Sequence, residues 1–128
     1  MAADSPQKPY HITFEHRDGY LHVYVSGEED SQEISLAYWM EIATYCQEHD
    51  VSRILVEEDF KTDNTMLDTY EFISQGAASD FAKIKIAFMD RHPEQTPTNL
   101  FGETVAKNRG IFVKIFTDLQ AAEKWLLS

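Results

Sequence analysis

Cys46 is the only cysteine in the sequence, so no disulfide can form within the chain, and a reducing compartment suits it. Positive charge is also scarce. Eleven Lys and Arg stand against 22 Asp and Glu, and the formal net charge of −11 repels phosphate backbones and anionic lipid surfaces. Nucleic acid and membrane-surface partners are thereby disfavoured. No apolar run approaches the roughly 20 residues of a membrane-spanning helix, so no integral membrane segment is expected. Residues 1–9 lack the charged start and apolar core of a signal peptide. The expected location is the cytoplasm.

The scaffolds of familiar chemistry are missing as well. There is no Gly-rich phosphate loop, no Ser set between glycines, and no pair among His11, His16, His22, His49 and His92 at the i, i+4 spacing of a zinc protease. No catalytic residue, metal ligand or cofactor is therefore assigned. Acidic residues do follow several expected strands, at 28–30, 57–59, Asp90 and Asp118, where an open parallel sheet places ligand sites. Helix capping and loop solvation account for them, and a Mg²⁺-dependent enzyme built on them is the least favoured reading. Arg91 and His92 follow the fourth expected strand, and His11 and His22 share one hairpin face with Glu15.

What the chain does have is enough apolar material, 43% of 128 residues, for a core. Residues 1–9, with two prolines and almost nothing to bury, are expected to be a disordered tip before a single domain over 10–128. Alternation over residues 10–26 predicts two strands joined by Asp18-Gly19 in a type I′ turn. That turn pairs Arg17 with Tyr20, Phe14 with Val23 and Ile12 with Val25, so Ile12, Phe14, Leu21, Val23 and Val25 share the core face. His11, Thr13, Glu15, Tyr20, His22 and Tyr24 are left for water.

Gly27 is expected to end the second strand, and Asp30 with Glu33 has capping-box spacing for a helix over 30–50. On a helical wheel its apolar residues sweep an arc of roughly 240°, where docking on a core needs only about 100°. That surplus requires cover from more chain, a second subunit or a ligand. Cys46 lies inside this arc and reads as a buried apolar thiol. Ile54-Leu55-Val56, in a strand over 52–58, has the continuous apolar character of a strand covered on both faces. A charged loop over 59–63 and a second helix carrying Met66, Leu67, Tyr70, Ile73 and Ala77 are expected next. A fourth strand over 83–89 precedes a loop over 90–97, then a helix capped by Thr98 or Asn99 with Phe101 inward. Gly110 marks that helix's end, a fifth strand covers 111–116, and Thr117 with Gln120 opens the last helix. The predicted architecture is α/β, ββαβαβαβα: a single-layer mixed five-stranded sheet with an antiparallel leading hairpin and parallel βα units.

This order, with the closing Phe116-Thr117-Asp118, Ala121-Ala122 and Trp125-Leu126, resembles the STAS group, specifically the SpoIIAA-like proteins, over residues 10–127. The wider fold relatives of that group include lipid-binding domains of the CRAL-TRIO type. The resemblance implies a non-enzymatic regulatory or protein-interaction module that docks to a protein partner, and the surplus apolar face of the 30–50 helix adds self-association as a homodimer. The alternative that the resemblance implies is a carrier or sensor of a small apolar, lipid-like ligand. True antagonists carry a phosphorylatable serine in an Asp-Ser-Ser/Thr-Gly motif between the third strand and second helix. Residues 57–65 here contain neither Ser nor Gly, and Thr62 and Thr65 are the only hydroxyls for phosphorylation. A phosphate on either would face Glu57, Glu58, Asp59 and Asp63, a repulsive setting. Leu36, Tyr38, Trp39, Met40, Ile42 and Ala43, with Tyr70 and Phe101, are the candidate partner- or ligand-binding residues.

Overall fold

Gly19, at φ +90°, turns the chain between β1 (His11–Arg17) and β2 (Tyr20–Glu29), which pair antiparallel in the predicted register from Arg17↔Tyr20 to Ile12↔Val25. The turn itself is not type I′. That type needs positive φ at both central residues, and Asp18 does not have it. The computed structural model describes residues 8–62 and 80–128. Beyond the hairpin come α1 (Gln32–His49), β3 (Arg53–Thr62), β4 (Lys85–Asp90), a 3₁₀ turn (Pro93–Gln95), α2 (Thr96–Asn108), β5 (Phe112–Phe116) and α3 (Leu119–Leu126). The predicted helix through Met66 and Ala77 lies outside the described residues.

The sheet order is β1-β2-β3-β4-β5, with β2 to β5 all parallel. Strands added in one direction by right-handed crossovers put their connecting helices on one face. Accordingly α1 and α2 share a core with Leu21, Val23, Val25, Ile54, Val56, Phe60, Ile86 and Phe88. Helix α3, which follows the last strand, covers the other face through Ala122 and Leu126 against Tyr20, Leu55 and Ala87. The Ile54-Leu55-Val56 run is thus buried on both faces. Among the described residues the strand order never reverses, so these strands form no switch-point crevice of the doubly wound kind.

Several boundaries differ from those the sequence suggests. Strand β2 runs through Gly27 to Glu29, and β3 takes in residues 59–62, because each edge gives the other its ladder: Gly27 pairs with Phe60 and Glu29 with Thr62. A Cβ on Gly27 would lie 2.7 Å from the Phe60 ring and 3.0 Å from the Pro9 carbonyl oxygen, so close approach, not strand termination, is its role. Ser31, not Asp30, caps α1, its hydroxyl accepting from Ile34 N at 3.1 Å. Asp30 instead accepts from Ser31 N and from the Ser35 hydroxyl. Helix α2 starts at Thr96, before either predicted cap, with Pro97 in its first turn, where a missing N–H costs nothing. Asp118 rather than Thr117 caps α3, accepting from Gln120 N and Ala121 N. Tyr20 is buried rather than open to water, because α3 lies over it and its hydroxyl donates to Glu123 Oε2 at 2.7 Å.

Candidate functional site

The carboxyl ends of β2, β3 and β4 gather the densest polar chemistry among the described residues. Strand alternation sends Glu57 and Asp59 to the face shared with α3, and the parallel register sets Tyr24 beside Glu57 and Ser26 beside Asp59. Glu57, only 3% exposed, accepts from His22 Nε2 at 2.9 Å and Arg91 Nε at 2.6 Å. Arg17 Nη2 approaches His22 Nδ1 at 3.3 Å, which fits an imidazole that carries its proton on Nε2. Asp59 accepts from the Tyr24 hydroxyl at 2.6 Å and from His92 Nε2 at 2.7 Å, while the Arg91 guanidinium lies over the Tyr24 ring. The Tyr24 hydrogen bond holds Asp59 below the usual carboxylate range; partial burial opposes this and His92 reinforces it.

Glu58, also 3% exposed, points to the opposite face and accepts a hydrogen bond from the Tyr38 hydroxyl of α1. Burial above all, then the nearby Glu58 and Asp30 charges, pushes the Tyr38 phenol well above its ordinary range. Asp90, at the end of β4, accepts from His92 N and from Asn99 Nδ2, which ties α2 to the strand before it. Glu57 and Asp59 on one sheet face, Glu58 on the other, and Asp90 at the end of β4 therefore already hold donors from the chain itself. Among the described residues, no three His, Cys, Asp or Glu side chains are placed to hold one metal ion. The charge of 59–63 suggests a loop, and that expectation hides the buried cluster. Phe60 is the available signal: it continues the every-second-residue series of Ile54, Val56 and Glu58.

The predicted binding residues of α1 divide sharply. Tyr38, Ile42 and Ala43 are buried in the core, and Trp39 is half-buried against Phe81 and Phe88. Cys46 is buried too, which raises its thiol to about 11. Phe101 is half-buried on the same core. Only Leu36 and Met40 face outward, at 39% and 57% exposure. Thr62 is exposed at the end of β3, its carbonyl accepting from Asp30 N at 2.9 Å. Tyr70 and Thr65 lie outside the described residues.

Beside Met40 is a shallow groove of about 340 Å³ lined by Phe14, Met40, Glu41, Thr44, Tyr45 and Glu48. Phe14 of β1 stacks flat on Tyr45 of α1 at 4.1 Å, forming its floor. At one end Glu41 takes Lys8 Nζ at 3.0 Å on both oxygens and the Tyr10 hydroxyl at 2.8 Å. The sequence marks Met40 but not its neighbours, because Phe14 and Glu41 are brought together only by packing β1 under α1.

A solved structure from Shewanella loihica PV-4, of an uncharacterized protein from the DUF3478 family with a SpoIIAA-like fold, aligns with 96% of this chain and 98% of its own. The TM-score is 0.55 and the identity 10%. The chain has a SpoIIAA-like fold. The predicted mixed five-stranded sheet and its leading hairpin are those of this fold. No protein-family model matches the sequence, nor does any curated protein. Among the described residues, no helix is long and apolar enough to cross a membrane.

Proposed function

We propose that this chain is a non-enzymatic docking module that binds another protein through the outer face of α1. The observation that carries the reading is the split within one helix: Tyr38 and Ile42 are at most 1% exposed, while Leu36 and Met40 stand open beside the Phe14–Tyr45 groove. Large side chains exposed together next to a groove are a common mark of a contact surface. The strand-end carboxylates support it from the other direction, since Glu57, Glu58 and Asp59 hold the protein's own His, Arg and Tyr groups rather than a free reactive centre. The SpoIIAA-like fold agrees with a STAS-type module.

Cross-linking in source cells, with the wild type compared with Leu36→Glu/Met40→Glu, tests the reading. Both side chains are exposed, so the variant should fold normally and lose the cross-linked partners of the wild type. Recovery of the same partners by both proteins would overturn it.

A further inference from the structure

We infer that the groove between Phe14 and α1, together with the exposed strip of Leu36 and Met40, receives a basic amphipathic segment of another protein. The inference rests on the docking reading and adds the chemistry of the partner. Helix α1 contains no Lys or Arg from Gln32 to His49, while Glu41 and Glu48 both line the groove beside Met40. An apolar side chain seated on Met40 and the Phe14–Tyr45 stack would thus have carboxylates within reach of its polar neighbours. Residues one turn apart on an incoming helix supply that combination, an apolar anchor flanked by ammonium or guanidinium groups.

The chain's own Lys8 shows that a cation fits there, with its ammonium 3.0 Å from both Glu41 oxygens. Lys8 and Glu41 are 56% and 32% exposed, and an ion pair this open to water contributes little stability, so an incoming cation can exchange with it. The net charge of −11 selects in the same direction and against acidic proteins, nucleic acids and anionic lipid. A second copy of this chain is a poor occupant. A two-fold contact between α1 helices sets the same patch against itself, Glu41 and Glu48 included, and like charges would meet.

Titration of the ¹⁵N-labelled full chain with a short leucine–lysine amphipathic helical peptide, and with its leucine–glutamate counterpart, tests this. The lysine peptide should shift the amide signals of Phe14, Met40, Thr44 and Glu48, and the glutamate peptide should not. Glu41→Gln/Glu48→Gln should weaken binding about tenfold, as loss of two charge contacts does, and added salt should weaken it further. Lys8→Ala should tighten it by removing the internal competitor. Equal binding of the two peptides, or shifts centred away from α1, would overturn the inference. So would sedimentation showing a dimer that Met40→Glu dissolves. Partners lost by Leu36→Glu/Met40→Glu without any preference for the lysine peptide would leave the docking reading standing and remove only the partner's charge.

Discussion

Glu57 and Glu58 are neighbours on β3, face opposite sides of the sheet, and are each only 3% exposed. Two consecutive buried carboxylates are costly unless each finds donors, and the two faces meet that need differently. On the α3 side, His22 and Arg91 converge on Glu57. On the α1 side, Tyr38 reaches Glu58 from the buried stripe of the helix. The central strand is thereby tied to β2, to the segment after β4, and to α1 by polar contacts as well as by Ile54 and Val56. A parallel strand that ends in acid can stay in the interior only because elements on both sides donate to it.

Tyr38→Phe removes the donor and keeps the ring, leaving the buried Glu58 short of one hydrogen bond. The expected loss is about 2–3 kcal/mol, read as a lower denaturant midpoint with unchanged slope. Tyr24→Phe at the more exposed Asp59 should cost only about 1 kcal/mol at neutral pH. Equal losses at the two sites would mean that burial does not set the strength of these bonds.

Asp59 also predicts an acid-range effect. Its carboxyl is held low, first by the Tyr24 hydroxyl and then by His92, against the opposing effect of burial. A depressed folded-state pKa contributes stability above the unfolded value of about 3.9, and that contribution is lost as pH falls through the folded value. Tyr24→Phe should therefore raise the Asp59 titration seen by ¹³C NMR of the carboxyl carbon. The stability gap between wild type and variant should shrink below about pH 4. A gap that holds constant into the acid would show that Asp59 is not the group responsible.

At high pH the sign reverses. Burial, then the hydrogen bond and charge of Glu41, pushes the Tyr10 phenol up to about 12, and Tyr38 too is raised well above its ordinary value. Raised folded-state values contribute stability that is complete below the unfolded value near 10 and is lost as pH rises through the folded ones. Ultraviolet titration of the native protein should show a late-ionising fraction of its six tyrosines that disappears on unfolding. Glu41→Ala should bring the Tyr10 portion forward, since it removes both the hydrogen bond and the charge.

Gly27 and Gly110 separate two reasons for glycine. Gly110 has φ +85° and open space where a Cβ would stand, so Gly110→Ala should cost only the backbone strain, about 1 kcal/mol. In Gly27→Ala the new methyl would meet the Phe60 ring and the Pro9 carbonyl, which shifts a side chain that is fully buried. The expected loss is about 2–3 kcal/mol, as for overpacking in a core. Thermal unfolding of the two variants side by side checks the order.

Fold and site differ in how far the sequence reveals them. Hairpin register follows from one short turn and a period of two, so Phe14↔Val23 and its neighbours are legible from the local pattern alone. The αL position at Gly110 is legible for the same local reason. The length of β3 is not, because Glu57 to Asp59 look like solvent-facing residues until His22, Tyr38 and Tyr24 arrive from elements about 20 to 35 positions away. The apolar arc of α1 is visible, but which part is covered depends on Phe81 and Phe88, which no pattern within the helix can supply.

The two ends of the α1 arc are experimentally separable. Trp39 stands edge-on to Phe81 at 5.5 Å and near-parallel to Phe88 at 6.2 Å, so Trp39→Ala removes a ring that fills the α1 side of the core. Its cost should be about 3 kcal/mol, toward the lower end for a large aromatic because part of the indole is open. Met40→Glu, one residue on, changes a side chain that is 57% exposed and should alter stability by no more than about 0.5 kcal/mol. Urea denaturation measures both, and partner binding is then scored at matched fractions of folded protein. Loss of binding in Met40→Glu with full stability assigns the contact to the outer strip. Loss of stability in both variants would place Met40 in the core with Trp39 and leave α1 without a free apolar face.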